Sequence, residues 1–382
     1  MTKLKPKHIL ILSSSFGQGH MATARALMSA AQAHPDLNLT VDIIDFSDEI
    51  SHIFSESSKR IYELNSKHLP LVHKMIYAST DVNHAPIRIA NLLTYPTRKT
   101  HLKKLLVASN PDIVISNYPI WQRLSLQVLK DSLPDVEFAT LITDSITVHS
   151  SWVKPDSDFY IVANEPTASS LQKLGVESRK IHAIGYPVHE AFSEPAHRVE
   201  ISKELNLPPE NKTILFSASA LRSSYVKNVC RRIRALGDGY SLIVVAGRDQ
   251  DLYDGVANDH ELLSHPTTRL LGWRTDMPEL IKASDIVITK AGGSTVMECV
   301  AARKPMIINK IIPGQEEGNA EFVERFNLGL VASKPVDIAS ACQIILSRID
   351  EYEERLAQHA RPHAARDILS YIATRLDTHD KS

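Results

Sequence analysis

Residues Thr289 to Phe322 read TKAGGSTVMECVAARKPMIINKIIPGQEEGNAEF, and the rest of the chain is most simply read as support for this stretch. An apolar strand, Asp285 to Thr289, runs into Gly292-Gly293-Ser294-Thr295, and a helix then starts, with good helix formers from Thr295 to Ala302. A strand–glycine–helix junction gathers free backbone N–H groups and the positive end of a helix dipole at one point, which suits an anion such as a phosphate. Glu298 follows about one turn later, within reach of two vicinal ribose hydroxyls; its alternative use is as a helix-dipole partner. A second short strand, Pro305 to Asn309, ends in Pro313-Gly314-Gln315-Glu316-Glu317-Gly318-Asn319. Gln315, Glu316 and Asn319 bring amide and carboxylate groups of the kind that hydrogen-bond sugar hydroxyls. The two loops lie about 20 residues apart, as successive βα loops of one α/β unit.

Working outward, strand and helix patterns alternate through most of the chain. Strands are expected at His8–Ser13, Thr40–Asp45, Asp112–Ser116, Glu137–Ile142, Asp158–Val162 and Ile181–Ile184, and again at Thr213–Ser217, Ser241–Ala246, Arg269–Leu271, Asp285–Thr289 and Pro305–Asn309. Helices are expected at Gly19–Ala33, Ser223–Leu236, Met277–Ala283 and Thr295–Ala302, and the tail from Pro335 to Leu376 is helical with no strand pattern. Such alternation predicts α/β folding with parallel sheets covered by helices. At 382 residues the chain exceeds one typical core, so two domains are expected. We place them at 1–190 and 191–382, around a Pro- and Glu-rich linker after Gly185-Tyr186-Pro187-Val188, with the terminal helix free to pack back on the first domain. Two doubly wound domains facing a cleft would let one hold a ligand and the other its reaction partner.

Composition narrows the function. Apolar residues make up 43% and charged residues 23%, with a net charge of −1, so no global nucleic-acid footprint is expected. Cys230, Cys299 and Cys342 stand far apart in apolar contexts and form no metal-binding spacing, which fits buried thiols in a reducing compartment. The apolar run Ile9–Leu12 is too short for a signal-peptide core or a membrane span. A cytoplasmic protein is expected. The segment Ser47–Val107 is longer than one crossover needs. Within it His84–Lys104 carries Arg88, Arg98, Lys99, Lys103 and Lys104, no acidic residue, and interleaved Ile, Leu and Tyr. That combination suits peripheral contact with an anionic membrane surface, or equally a solvated helix with one buried face.

Further candidates sit at strand ends. The first strand leads into Ser13-Ser14-Ser15-Phe16-Gly17-Gln18-Gly19-His20. Gly17 and Gly19 allow a sharp turn and close ligand approach, and His20 lands in the first helical turn as a candidate base. Asp144 ends Leu141-Ile142-Thr143-Asp144, where it could orient a base, act as one, or cap a turn. Gly247 and Arg248 follow one strand, and Trp273 and Met277 follow another; together they could form a nucleobase pocket or serve packing alone.

These residues resemble a known family. The stretch from Thr289 onward is similar to the donor-site region of monogalactosyldiacylglycerol synthases and processive diacylglycerol glucosyltransferases, relatives of the peptidoglycan N-acetylglucosaminyltransferase and of glycosyltransferase family 28. GQGHMATARAL, IYELNSKHLPLVHKMIYAST, NYPIWQ, LITDSITVHSSW and IGYPVHEAF extend the resemblance in the same order. It implies a GT-B fold, a UDP-sugar co-substrate on the C-terminal half, and a lipid acceptor on the N-terminal half at the cytoplasmic membrane surface. It implies inverting transfer of glucose or galactose with no cofactor and no catalytic metal. By the same resemblance His20 and Asp144 are candidate catalytic groups, with Gly17 and Gly19 near the acceptor. Glu298 matches the ribose-binding acid, and Gln315, Glu316 and Asn319 match the sugar-reading loop. One stretch departs: Phe216 to Ser224 reads FSASALRSS where the family has a glycine-rich turn. A UDP-N-acetylglucosamine 2-epimerase-like enzyme and a catalytically degenerate UDP-sugar sensor are the alternatives.

Overall fold

A computed structural model describes residues 5–15, 18–45, 85–154, 156–313 and 316–379, with backbone only at 18, 85–94 and 379. Gly17, Gln315 and most of the long segment after residue 46 lie outside the described residues. The described chain forms two compact units. The first comprises 1–190, 313–318 and 363–382; the second comprises 191–312 and 319–362.

The first unit is built on a six-stranded parallel sheet in the order β2-β1-β3-β4-β5-β6. Its elements are β1 (Lys7–Ser13), α1 (Gln18–Ala33), β2 (Leu39–Asp45), α2 (Ala85–Ser109), β3 (Ile113–Ser116), α3 (Gln122–Ser132), β4 (Glu137–Leu141), β5 (Phe159–Ile161), α4 (Glu165–Lys173) and β6 (Ile181–His182). Strand β1 pairs with β2 from Lys7↔Leu39 to Ser13↔Asp45 and with β3 from Ile9↔Ile113 to Leu12↔Ser116. Side chains alternate across a strand, so Ile9 and Ile11 point to one face and Leu10 and Leu12 to the other. Ile9 and Ile11 pack with Leu27 and Ala30 of α1 and with Ile368, Leu369, Ile372 and Leu376. Those last four form one stripe on the terminal helix, Ala364–His379. Leu10 and Leu12 pack with Leu102 and Leu106 of α2 and Leu124, Val128 and Leu129 of α3. Both faces are therefore dry, as a parallel sheet requires. The terminal helix is further held by Arg375, whose guanidinium donates to both oxygens of Glu137 at 2.7 to 3.0 Å and lies 4.7 Å from the Phe159 ring centroid.

The second unit repeats the plan with the order β12-β11-β10-β7-β8-β9. It contains α5 (Arg198–Glu204), β7 (Lys212–Ser217), α6 (Ser223–Arg234), β8 (Tyr240–Val245), α7 (Gln250–Ala257), α8 (His260–Leu263), β9 (Thr268–Leu271), α9 (Met277–Ala283), β10 (Ile286–Lys290), α10 (Gly293–Ala301), β11 (Met306–Lys310), α11 (Glu317–Arg325), β12 (Gly329–Val331), α12 (Pro335–Ser347) and α13 (Ile349–His359). Ile214, Phe216, Val226, Val229, Ile286, Ile288, Ile338 and Ile345 share one core with the thiols of Cys230 and Cys342. Burial pushes the Cys230 thiol up to about 12, so it is an inert packing group. The beginning of the unit is fixed by Lys282, 4% exposed, whose ammonium donates to the carbonyls of Ala191, Glu194 and Pro195 at 2.6 to 3.3 Å.

The doubly wound α/β class expected from the alternation is what the structure shows. Two details differ. Strand β12 was not legible, being only Gly329–Val331. Gly329 is required there because a Cβ would sit 2.0 Å from the Met306 carbonyl oxygen, so only a bare backbone can approach β11. The loop expected to run through Asn319 instead gives way to helix α11 at Glu317.

Candidate active site

Open α/β sheets bind ligands at the carboxyl ends of their strands, where the strand order reverses. In the first unit the reversal lies between β1 and β3. His20, in the first turn of α1, sits there. Its carbonyl accepts from Asn117 Nδ2 at 2.6 Å and from Thr23 Oγ1 at 2.8 Å. Its Nδ1 lies 3.1 Å from Thr143 Oγ1, and its ring meets Tyr118 edge-on with centroids 5.0 Å apart. Part of the imidazole surface stays open, yet the surrounding protein desolvates it and pushes it down to about 4, against a smaller opposing pull from the Asn117 backbone. His20 is therefore neutral at pH 7 and able to accept a proton.

Asp144 follows Thr143 on the same loop. Its Oδ2 accepts from Trp152 Nε1 at 2.7 Å, and the Trp152 ring lies 6.1 Å from that of His20. Burial lifts the Asp144 carboxyl to about 6, and the indole bond offsets this only in part. The structure thus gathers His20 and Asp144 around Thr143 and Trp152. His149 caps its own turn, with Nδ1 accepting from the Ser151 N–H at 3.1 Å. Ser13 Oγ, Ser15 Oγ and Asn117 Oδ1 are buried without a partner among the described residues.

In the second unit the order reverses between β7 and β10. Strand β10 ends at Lys290, Gly292 caps α10, and Gly293, Ser294 and Thr295 form its first turn. These backbone N–H groups have no intrahelical acceptor. The expected helix start at Thr295 moves back to Gly293, which brings the first-turn N–H groups next to the end of β10. Glu298 lies one turn in. Part of its carboxyl surface is open, no described side chain pairs with it, and desolvation alone lifts it to about 7. Asn319 stands beside the same junction: Nδ2 donates to the Ala291 carbonyl at 2.9 Å, while its Oδ1 is buried with no partner among the described residues. Across the reversal, the loop after β7 has no glycine but still takes a glycine-like turn, with Ala220 at φ 63°. Lys310 Nζ donates to the Ala220 carbonyl at 3.2 Å, tying this loop to the end of β11. The loop thus takes a left-handed backbone at a residue that carries a Cβ.

Gly247, at φ 66°, turns the chain after β8 so that the Arg248 guanidinium lies 4.1 Å from the Trp273 ring centroid. Trp273 is 53% exposed and forms a flat platform at the ends of β8 and β9. Met277 opens α9 beside Arg274, which pairs with Asp276 and with Glu204 at 2.8 Å. Glu316 is 5% exposed and belongs to the first unit.

The basic stretch has two uses. Lys99 pairs with Asp131 at 2.8 Å, and Arg98 lies 5.5 Å from the Trp121 ring centroid, so both fasten α2 to α3. Lys103 and Lys104 point outward, and the Arg88 side chain lies outside the described residues. Leu102 and Leu106 bury the other face. Among the described residues no helix is long and apolar enough to cross a membrane.

Sequence reasoning missed Asn117, Thr143 as a partner of His20, and Trp152 as a partner of Asp144. The signal for Asn117 was its place after an apolar strand, the same signal that singled out Asp144.

Comparison with known proteins agrees with the resemblance read from the sequence. Residues 20–188 match the family model for monogalactosyldiacylglycerol (MGDG) synthase, and residues 222–336 match that for the glycosyltransferase family 28 C-terminal domain. A probable chloroplastic monogalactosyldiacylglycerol synthase of Nicotiana tabacum is 28% identical, over 95% of this chain and 70% of its own. The processive diacylglycerol beta-glucosyltransferase of Bacillus pumilus is 24% identical, over 97% of this chain and 96% of its own. The Anabaena HepE structure, solved with UDP and glucose, shares the fold with a TM-score of 0.57 and 14% identity, over 97% of this chain and 100% of that one. The chain thus has the GT-B fold, is similar over residues 20–188 to monogalactosyldiacylglycerol synthases, and is similar over residues 222–336 to the C-terminal domain of family 28 glycosyltransferases.

Proposed function

We propose that this protein transfers glucose or galactose from a UDP-sugar to a diacylglycerol-type lipid at a membrane surface, with inversion at the anomeric carbon. The observation that carries the reading is the α10 junction. The first turn of α10, Gly293–Thr295, sets its helix N-terminus where a diphosphate can be met, one turn from Glu298, a carboxyl without a described partner. Asn319 adds a buried acceptor, Oδ1, that lacks a donor. An anion cradle beside unpaired hydroxyl acceptors is what a nucleotide sugar requires, and the UDP-bound fold relative and the two named lipid transferases support it.

In this reading the helix N-terminus stabilises the charge that develops as UDP leaves. Glu298 accepts from ribose hydroxyls, and the Arg248–Trp273 platform stacks on the base. Neutral His20 takes the proton of the attacking acceptor hydroxyl, and Asp144 orients the site through Trp152. No resident cofactor or metal enters the scheme. Lys103 and Lys104 supply the outward charge for anionic lipid.

The test is incubation with UDP-glucose or UDP-galactose and liposomes containing diacylglycerol. A new glycolipid with stoichiometric UDP is the expected result. Isomerised donor without lipid product would replace this reading with an epimerase, and binding without turnover would replace it with a sensor.

A further inference from the structure

The loop that carries Asp144 holds the most strained backbone near the site. Thr147 N–H donates to the Ser145 carbonyl at 2.6 Å, closing a three-residue turn. Its central residue, Ile146, has φ 55°. Positive φ is uncommon for any side chain and a genuine outlier for a β-branched one, and γ-turns of this hand are rare and strained. Ile146 is 7% exposed, so burial of its side chain helps to hold the conformation.

Two further contacts pin the turn. The Ile146 N–H donates to Thr167 Oγ1 at 3.1 Å, and that hydroxyl donates to Asn164 Oδ1 at 2.8 Å. Asn164 Oδ1 also accepts from the Thr167 N–H at 3.0 Å, capping α4, so the turn is anchored to a helix start. Gly318, within the same compact unit, lies directly on the turn. A Cβ at Gly318 would fall 2.2 Å from the Ser145 carbonyl oxygen, 2.9 Å from Thr147 N and 3.1 Å from Thr147 Cβ. Two of these neighbours are backbone atoms, so no side chain can be accommodated unless the turn or the Gly318 backbone moves. Glu316, two residues earlier, is buried in the same unit.

Strain of this kind persists only where the surroundings over-determine it, and it gathers at functional sites. Resting on the transferase reading above, we propose that Gly318 and Thr167 are positioning residues: by holding the Ser145–Thr147 turn at two points they fix the Asp144–Trp152 pair and hold Thr143 against His20. Neither residue touches the reacting atoms. Each acts through the turn.

The test compares Gly318→Ala, Thr167→Val and Thr167→Ser with the unaltered full-length protein. Transfer kinetics are one readout, and the Trp152 indole N–H resonance, which reports its bond to Asp144, is the other. Gly318→Ala and Thr167→Val should each lower kcat by about tenfold or more, through loss of alignment, with donor KM nearly unchanged. Both should also shift the indole resonance. Thr167→Ser keeps the hydroxyl and should restore both readouts. If Gly318→Ala fails to fold, the Thr167 pair still decides the matter. An unmoved indole resonance in a folded Gly318→Ala or Thr167→Val protein overturns the proposal, whatever the activity. A shifted resonance in a protein that transfers no sugar sustains the clamp and removes the transferase reading instead.

Discussion

The two sheets end in sites that hold their ionisable groups in opposite ways. At the carboxyl end of the first sheet each group has a protein partner: His20 has Thr143, and Asp144 has Trp152. At the carboxyl end of the second sheet Glu298 has none among the described residues, and Asn319 leaves an acceptor unused. Desolvation acts on all three ionisable groups, yet only the first pair is compensated by protein hydrogen bonds. Groups partnered before any ligand arrives are preorganised, as catalytic groups need to be. Groups left open keep their hydrogen bonds for a ligand that brings hydroxyls. The proposed reading rests on this contrast, with chemistry at the first sheet and recognition at the second.

The largest expected effect tests the first half of that contrast. His20→Ala should lower the rate of transfer by about 10²–10⁴-fold, the usual worth of a general base, with donor affinity by calorimetry unchanged. A variant with wild-type turnover would move the base elsewhere. Next, Glu298→Ala should raise the donor Kd by about 10–100-fold, the worth of a lost hydrogen bond to a charged group, with a smaller change in kcat. Unchanged donor affinity would break the assignment of recognition to the second sheet.

The pH profile sharpens the comparison within the first site. A base acts only when deprotonated. His20, pushed down to about 4, is ready above that value, whereas Asp144, lifted to about 6, becomes ready only above about 6. At saturating donor, kcat/KM for the acceptor should stay flat from about pH 5 to 8 if His20 is the base. A tenfold-per-unit rise ending near 6 would transfer the role to Asp144. Glu298 gives a separate signature. Its folded-state pKa, about 7, is raised above the ordinary 4.5, so the folded state binds the proton more tightly than the unfolded one. Stability of the free protein should therefore fall as pH climbs from 4.5 towards 7, and thermal melts of Glu298→Gln should lose that slope.

Smaller effects follow. Ala220→Gly should relieve left-handed strain and, after the entropy cost of glycine in the unfolded chain, raise stability by about 0.5 kcal/mol in urea titration. Removing divalent ions with EDTA should leave the transfer rate unchanged; a lost rate that magnesium restores would place a metal in the reaction.

Much of this molecule was legible in the chain itself. Continuous apolar strand runs alternating with helices specify parallel sheets, because burial on both faces leaves a local record in each segment. The strand-to-helix junction at Gly292–Thr295 was equally readable, since a helix start is built from consecutive backbone groups. What the sequence left open were meetings between distant residues. Asn117 reaches the carbonyl of His20, 97 residues away, and nothing local marks an asparagine for that role. Arg98 and Lys99 read as surface charge, but packing against α3 gives them Trp121 and Asp131. Asp144 was visible as a carboxylate at a strand end, whereas its elevated pKa, its Trp152 partner and the turn pressed by Gly318 exist only in the folded chain. Periodicity records that a face is buried; it does not record against what. Desolvation, hydrogen-bond partners and backbone strain are properties of that second choice, and only the tertiary structure makes it.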